Sequence, residues 1–323
     1  MSSADRTAHH PVAQKQLGRK KPSDSTCALL LGVVAAVVGL GPWLITGARL
    51  PLQNLWGLDT LPEDMPIALL PLSQYSLTTI VILLIVGGAA TGIALRVWNP
   101  TRYKAMTRWA VGGVFLVHLI AVLQSFTVLH RGLADGTAAD VYFLGILAGV
   151  LASIAASIVL LVLLAARSKT LVTLGIGLLS VPFVSWLTQW VVGAMELMGG
   201  TDFPVWLAFV SRWLPAVLVG CALAWCGLRS IRQALVWGVN LALLWLVPAL
   251  FTSVTYVFGT RVYLGNPHEM LILAQQILTA TLGPDGGAAP TVLLAILIAA
   301  LGTGIRTLAA ANGRRITDRP TPS

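Results

Sequence analysis

Eight long apolar stretches constrain this chain more than any other feature of its sequence. A helix needs about 20 apolar residues to cross the hydrocarbon core of a bilayer. Hydrophobic residues make up 56% of the chain and charged residues only 10%, whereas about a quarter of residues are charged in a typical soluble domain. The sequence therefore predicts an all-α, polytopic transmembrane bundle of about eight helices, at about 27–48, 76–95, 107–129, 140–166, 170–195, 206–228, 233–258 and 289–311.

Basic residues sort to one side of the membrane when the chain is threaded through it as eight helices. Seventeen of the 21 Lys and Arg residues then lie in the two tails, in the three short connections or at the helix ends beside them, whereas nine of the 12 acidic residues lie on the other side. Because connections rich in Lys and Arg stay in the cytoplasm, we predict a multi-pass protein of the cytoplasmic membrane with both termini inside. Residues 1–26 and 312–323 are expected to be disordered cytoplasmic tails, and residues 27–311 form the transmembrane domain.

The two long connections, at about 49–75 and 259–288, both lie on the predicted outer side. Each begins with the pattern G-x-R-apolar-x-L-x-N, at 47–54 and at 259–266. One interpretation is that the first and last hairpins are related units that flank a central cavity opening outward. The other is that each pattern only ends a helix with glycine and places an arginine at the lipid headgroups.

Capping patterns follow in both outer connections. Thr60 stands three residues before Glu63, and Asn266 stands three before Glu269, an arrangement that satisfies free amides at a helix start. We therefore expect a short amphipathic helix in each connection. The second one, at about 267–282, is expected on the membrane surface or over the bundle.

His118 is the clearest ionisable residue within the predicted hydrocarbon. It lies near the middle of the third helix, where such groups are costly and often functional. It is a candidate proton or substrate site, or it forms a hydrogen bond to a neighbouring helix. No second histidine lies at a similar depth on another helix, so no haem, metal or other cofactor is predicted. Its predicted face also carries Val114, Phe115, Ala121, Val122 and Ser125.

Glu196 and Arg212 are predicted to face each other across the fifth and sixth helices, near the outer boundary. An arginine in that position favours a carboxylate partner, so the two form either a structural ion pair or a substrate or proton site. Pro182, Pro215 and Pro248 interrupt the fifth, sixth and seventh helices. Such breaks are tolerated in a membrane where they line a cavity or meet polar groups.

Four arginines lie on the predicted outer side, against the general sorting. Arg49, Arg131 and Arg261 follow the outer ends of the first, third and seventh helices, and Arg212 lies just inside the sixth. Arginine is a common ligand of phosphate and carboxylate groups. We therefore include all four with His118 and Glu196 as candidate substrate or proton sites.

The sequence lacks the motifs of the commonest enzyme classes. It has no phosphate-binding G-x-x-x-x-G-K-[ST] loop, no H-E-x-x-H and no G-x-S-x-G, so no catalytic residue is predicted. Its basic residues are scattered along the membrane edges, which favours contact with membrane lipids over nucleic acid. We predict a permease or transport-related bundle. The alternatives are an accessory subunit of a larger membrane complex, with protein partners, and an enzyme acting on a lipid-linked envelope substrate at the outer leaflet.

Overall fold

A computed structural model describes residues 23–57, 59–200, 203–260, 266–283 and 286–317. Eight helices in these ranges are long and apolar enough to cross a membrane, which confirms the predicted number. A ninth helix, α8, is shorter. The helices are α1 (Asp24–Ile45), α2 (Leu77–Trp98), α3 (Tyr103–Gly132), α4 (Thr137–Ala165), α5 (Lys169–Leu197), α6 (Val205–Cys226), α7 (Ile231–Gly259), α8 (Pro267–Leu282) and α9 (Ala288–Thr317).

The helix ends form two groups. At one end, which we call the basic end, Arg96 of α2 donates a hydrogen bond to the carbonyl of Ala166 after α4. At the same end, Arg306 of α9 donates to the carbonyl of Ala224 in α6 over 2.7 Å. The opposite end carries the described residues between α1 and α2 and the start of α8, and we call it the loop end.

The start of the first helix and the end of the last helix differ slightly from those predicted. Helix α1 begins at Asp24 because the Ser23 side chain accepts a hydrogen bond from the Thr26 amide, 3.3 Å away. Helix α9 continues to Thr317, past residue 311. The remaining parts of the two predicted tails, residues 1–22 and 318–323, lie outside the described residues.

Small residues let α1 approach α2 and α3 closely. A Cβ atom on Gly39 would lie 2.7 Å from the Cα of Gly87 in α2. A Cβ on Gly32 would overlap the Ala110 carbonyl oxygen of α3, and one on Gly113 would overlap the Leu29 carbonyl oxygen of α1. Only glycine fits at these positions, and close backbone contact of this kind is typical of helix packing in membranes.

The connection between α1 and α2 folds into the loop end of the bundle. We call its residues 65–73 the plug, and within it Leu70 is fully buried. The amide of Leu69 donates to Gln124 Oε1 over 2.9 Å and that of Leu70 to Ser125 Oγ over 2.8 Å, both on α3. Ser125 lies seven residues before the end of α3, so the plug enters about 10 Å into the bundle, at 1.5 Å per residue.

The helix predicted in this connection is wrong. Its described residues form only two three-residue 3₁₀ turns, at Pro62–Asp64 and at Gln74–Ser76. Pro62, Pro66 and Pro71 explain the difference, because each lacks an amide proton and favours an extended residue before it. The plug therefore occupies the loop end of the bundle in place of a helix.

Helix α8 packs along α7 and does not lie over the bundle. Its start is capped as predicted, since the Asn266 side chain accepts from the Glu269 amide at 3.5 Å. Ser253 of α7 lies against Ala274, and Trp245 Nε1 of α7 donates to the Leu282 carbonyl at 3.3 Å. The two helices are thus antiparallel, and α8 ends near the middle of α7.

Many large apolar side chains remain exposed around the bundle. On α4, for example, Val141, Leu144, Leu151 and Val159 are each more than half exposed. Soluble monomers rarely expose apolar surface on this scale. Together with the eight apolar helices, this exterior is compatible with an integral membrane protein.

Candidate functional site

A cavity of about 520 Å³ lies between α5, α6, α7 and the turn from α8 to α9. We call it the Arg212 cavity. The end of α8 lies beside Trp245, near the middle of α7, and Ala288 at the start of α9 lines the same cavity. Both helix ends therefore lie inside the bundle. The side chains that bring polar atoms to its wall are Ser211, Arg212, Trp245, Thr252, Thr281 and Thr291.

Two helix-breaking prolines form part of this wall. Pro215 of α6 and Pro248 of α7 both line the cavity, and each prevents a helical hydrogen bond to the carbonyl four residues earlier. Those carbonyls belong to Ser211 and Leu244, which also line the cavity. The prolines therefore supply hydrogen-bond acceptors at the cavity, the arrangement in which membrane proteins tolerate broken helices.

Arg212 is the cation of the cavity. Its guanidinium stacks over the ring of Trp213 at 5.2 Å, and no carboxylate of the described residues lies within 4.0 Å of it. The first turn of α9, with Ala288 and Thr291, lines the same cavity. Because a helix N-terminus carries partial positive charge, two positive features converge on one space. This arrangement favours a small anionic group.

The C-terminal end of α8 lies at the same cavity and carries partial negative charge. There Trp245 Nε1 donates to the last carbonyl of the helix, at Leu282. Helix-terminal carbonyls are satisfied by donors of this kind. The hydrogen bond thus weakens the opposition of this helix end to an anion.

The predicted ion pair between Glu196 and Arg212 is wrong. Glu196 is exposed at the loop end of α5, whereas Arg212 lies about two turns inside α6 and faces α7 and the start of α9. The sequence order placed the two residues at neighbouring helix ends. It did not show that Arg212 turns toward other helices.

The other predicted arginines do not join Arg212. Arg49 is exposed, and its Nη1 donates to the carbonyl of Met65 over 3.2 Å, so it fastens the plug. Arg131 is exposed near the end of α3. Neither residue lines the Arg212 cavity, and Arg261 lies outside the described residues.

His118 is completely buried in α3. The prediction that it forms a hydrogen bond to a neighbouring helix is wrong, because neither ring nitrogen has a partner in the part of the chain that the structure describes. Val114, Ala121 and Ser125 are buried with it, but Phe115 is 47% exposed. His118 does not line the Arg212 cavity, and its proton role stays a prediction.

A second loop-end cavity, of about 800 Å³, lies beside the plug. Its wall is mostly apolar and includes the Gln74 amide and the Tyr142 phenol. The Tyr142 hydroxyl donates to Gln53 Oε1, whereas Gln74 Nε2 has no partner among the described residues. Sequence reasoning missed these residues because none is charged or part of a recognisable motif.

Comparisons with protein-family models, curated proteins and solved structures find no match for this chain. Within the described residues, no group of three or more His, Cys, Asp or Glu side chains is placed to hold a metal ion. The class that the fold and its cavities define is therefore a bundle of eight apolar helices, compatible with an integral membrane protein, without an assigned family.

Proposed function

We propose that this chain is a multi-pass protein of the cytoplasmic membrane, a permease or transport-related bundle whose solute carries an anionic group. In this proposal the basic end faces the cytoplasm and the loop end faces outward. The distribution of Lys and Arg supports the orientation. The Arg212 cavity is the solute site.

One observation carries the proposal: an arginine with no carboxylate partner among the described residues and the start of a helix line the same cavity. Discontinuous helices that meet inside a bundle are a recurrent way to build solute sites in transporters, and their N-terminal ends bind anionic groups. The break between α8 and α9 has this form. The carbonyls freed by Pro215 and Pro248 add acceptors for a second, hydrogen-bond-donating group of the solute.

Arg212→Gln is expected to remove anion binding without unfolding the protein, because Arg212 is exposed and pairs with no carboxylate of the described residues. The melting temperature of the purified protein should be measured in the presence of inorganic phosphate, sulfate, acetate and succinate in turn. At a concentration about 100 times its dissociation constant, a bound anion should raise the melting temperature of the unsubstituted protein by about 5 °C. The Arg212→Gln variant should show no rise.

Arg131→Gln is the matched control, since it removes an exposed arginine from the same end of the bundle. It should keep the full anion response. An equal response in the Arg212 and Arg131 variants would contradict the proposed site, as would the absence of any response in the unsubstituted protein. The anion that stabilises best should then exchange across proteoliposomes that contain the protein.

A further inference from the structure

The basic end gathers cations in one place. Arg96 of α2 and Lys169 of α5 both stack on the ring of Trp225, each 5.5 Å from its centroid. Arg167, in the connection before α5, stacks on Tyr103 at the same distance. Stacking on aromatic rings fixes these side chains in place, so the positive charge is ordered and does not simply point into solvent.

No carboxylate of the described residues balances this charge. Among the described residues of the basic end, Asp24 is the only acid, and it is exposed and forms no ion pair. Like charges held together repel one another and destabilise the folded state. A bound anion relieves this repulsion and stabilises the folded state.

Two cavities lie within the cluster. One, of about 610 Å³, is lined by Arg96, Tyr103 and Arg167. The other, of about 770 Å³, is lined by Arg102, Tyr103, Lys104 and Arg167, together with apolar residues of α4 and α5. Tyr103 and Arg167 belong to both, so the two spaces adjoin and share their cations.

The donors in these cavities are those of a phosphate site. Arg96 already donates to the Ala166 carbonyl, but a guanidinium carries five N–H donors, and those left over suit phosphate oxygens. Tyr103 adds a hydroxyl. The apolar part of the larger cavity, from Val162, Leu163 and Leu171, suits the glycerol or first methylenes next to a phosphate.

We infer that the basic end carries a binding site for a phosphate-bearing anion, formed by Arg96, Arg102, Lys104 and Arg167 around Tyr103, with Lys169 beside it on Trp225. The site is separate from the Arg212 cavity and does not depend on the solute proposed for it. An anionic phospholipid headgroup and free phosphate share this chemistry. Basic pockets between transmembrane helices on the cytoplasmic side bind such headgroups.

The test compares two double variants with the same change in net charge. Arg102→Gln with Arg167→Gln removes two cations that line the cavities. Arg229→Gln with Arg232→Gln removes two exposed cations of the basic end that do not line them. Each protein is placed in phosphatidylcholine nanodiscs, and its affinity is measured for added phosphatidylglycerol in one arm and for inorganic phosphate in the other.

We expect the Arg102/Arg167 variant to bind phosphatidylglycerol about 25-fold more weakly than the unsubstituted protein, since each cation near a headgroup contributes about fivefold. The Arg229/Arg232 variant should change by much less. The same pattern with inorganic phosphate would support the site and identify a free anion as a ligand. Equal losses in both double variants, or no binding by the unsubstituted protein, would overturn the inference. If the Arg102/Arg167 variant melts at a lower temperature than the unsubstituted protein, the pair Arg102→Gln with Lys104→Gln repeats the test.

Discussion

Gly113→Leu is expected to destabilise the bundle severely. A side chain at this position would meet the Leu29 carbonyl oxygen of α1 and lie 3.0 Å from the Val33 amide nitrogen. Both are backbone atoms, so they can move away only if α1 separates from α3. Overpacking of this kind typically costs 1–3 kcal/mol, and we expect about 3 kcal/mol here because the obstacle is rigid. Thermal unfolding in detergent measures the loss.

Gly112→Leu is the matched control for this prediction. The neighbouring glycine is exposed, and a Cβ there would meet nothing within 4 Å. Because leucine favours helix more than glycine does, the control should keep or slightly raise the melting temperature. Equal melting temperatures for the two variants would show that α1 and α3 do not pack through Gly113.

Gln124→Leu is expected to release the plug from the bundle. The Gln124 side chain accepts from the Leu69 amide and donates to the Ile67 carbonyl, both over 2.9 Å. Leucine can make neither bond, so the partly buried Leu69 amide loses its partner, and an unsatisfied buried polar group costs about 1–3 kcal/mol. At about 2 kcal/mol, the open fraction of the plug rises about 30-fold. Hydrogen exchange of the amides in residues 65–73 reports this opening.

Thr127→Ala provides the control for the plug prediction. Thr127 is exposed on the same helix, and its hydroxyl donates only to the Leu123 carbonyl one turn earlier. Its loss should leave exchange in residues 65–73 unchanged. If the Gln124 variant exchanged no faster than this control, the hydrogen bonds of Gln124 would not hold the plug in place.

The eight long apolar helices were predictable because apolar length is a local property of the sequence. A run as long and as apolar as 140–166 is stable only in lipid or in a protein interior. The start of α8 was predictable for the same reason, since the Asn266 cap and Glu269 lie within one turn. The contacts of a helix are not local, which is why the position of α8 along α7 was missed.

The plug and the Arg212 cavity depend on tertiary contacts that no window of sequence contains. Pro62, Pro66 and Pro71 disfavour a helix in the first connection. Nothing in the sequence indicates that Gln124 and Ser125 of α3 form hydrogen bonds with this connection. Gly283 and Pro284 marked the end of α8. Only the structure shows that this break lies beside Arg212, about two turns inside α6.

The same limit explains the wrong partners predicted for two site residues. Sequence order put Glu196 and Arg212 at adjacent helix ends, yet the rotation of α6 turns Arg212 toward α7 and α9. The depth of His118 was predictable from its place in α3. Its lack of a hydrogen-bond partner was not, because that depends on which atoms of the neighbouring helices reach it.

Labelling a cysteine in the Arg212 cavity tests the central claim most directly. Cys27, Cys221 and Cys226 are replaced by serine, and Ser211, which lines the cavity, is replaced by cysteine. An anionic and a cationic methanethiosulfonate, neither of which crosses membranes, are added to intact cells, and each rate is divided by that reagent's rate with a free thiol. We predict labelling from outside, with the anionic reagent about tenfold faster than the cationic one after this correction. One charge in such a site contributes about 1.4 kcal/mol, which corresponds to this ratio. The preference should be lost with Arg212→Gln. Labelling only after the cells are made permeable, or the same ratio with and without Arg212, would contradict the claim.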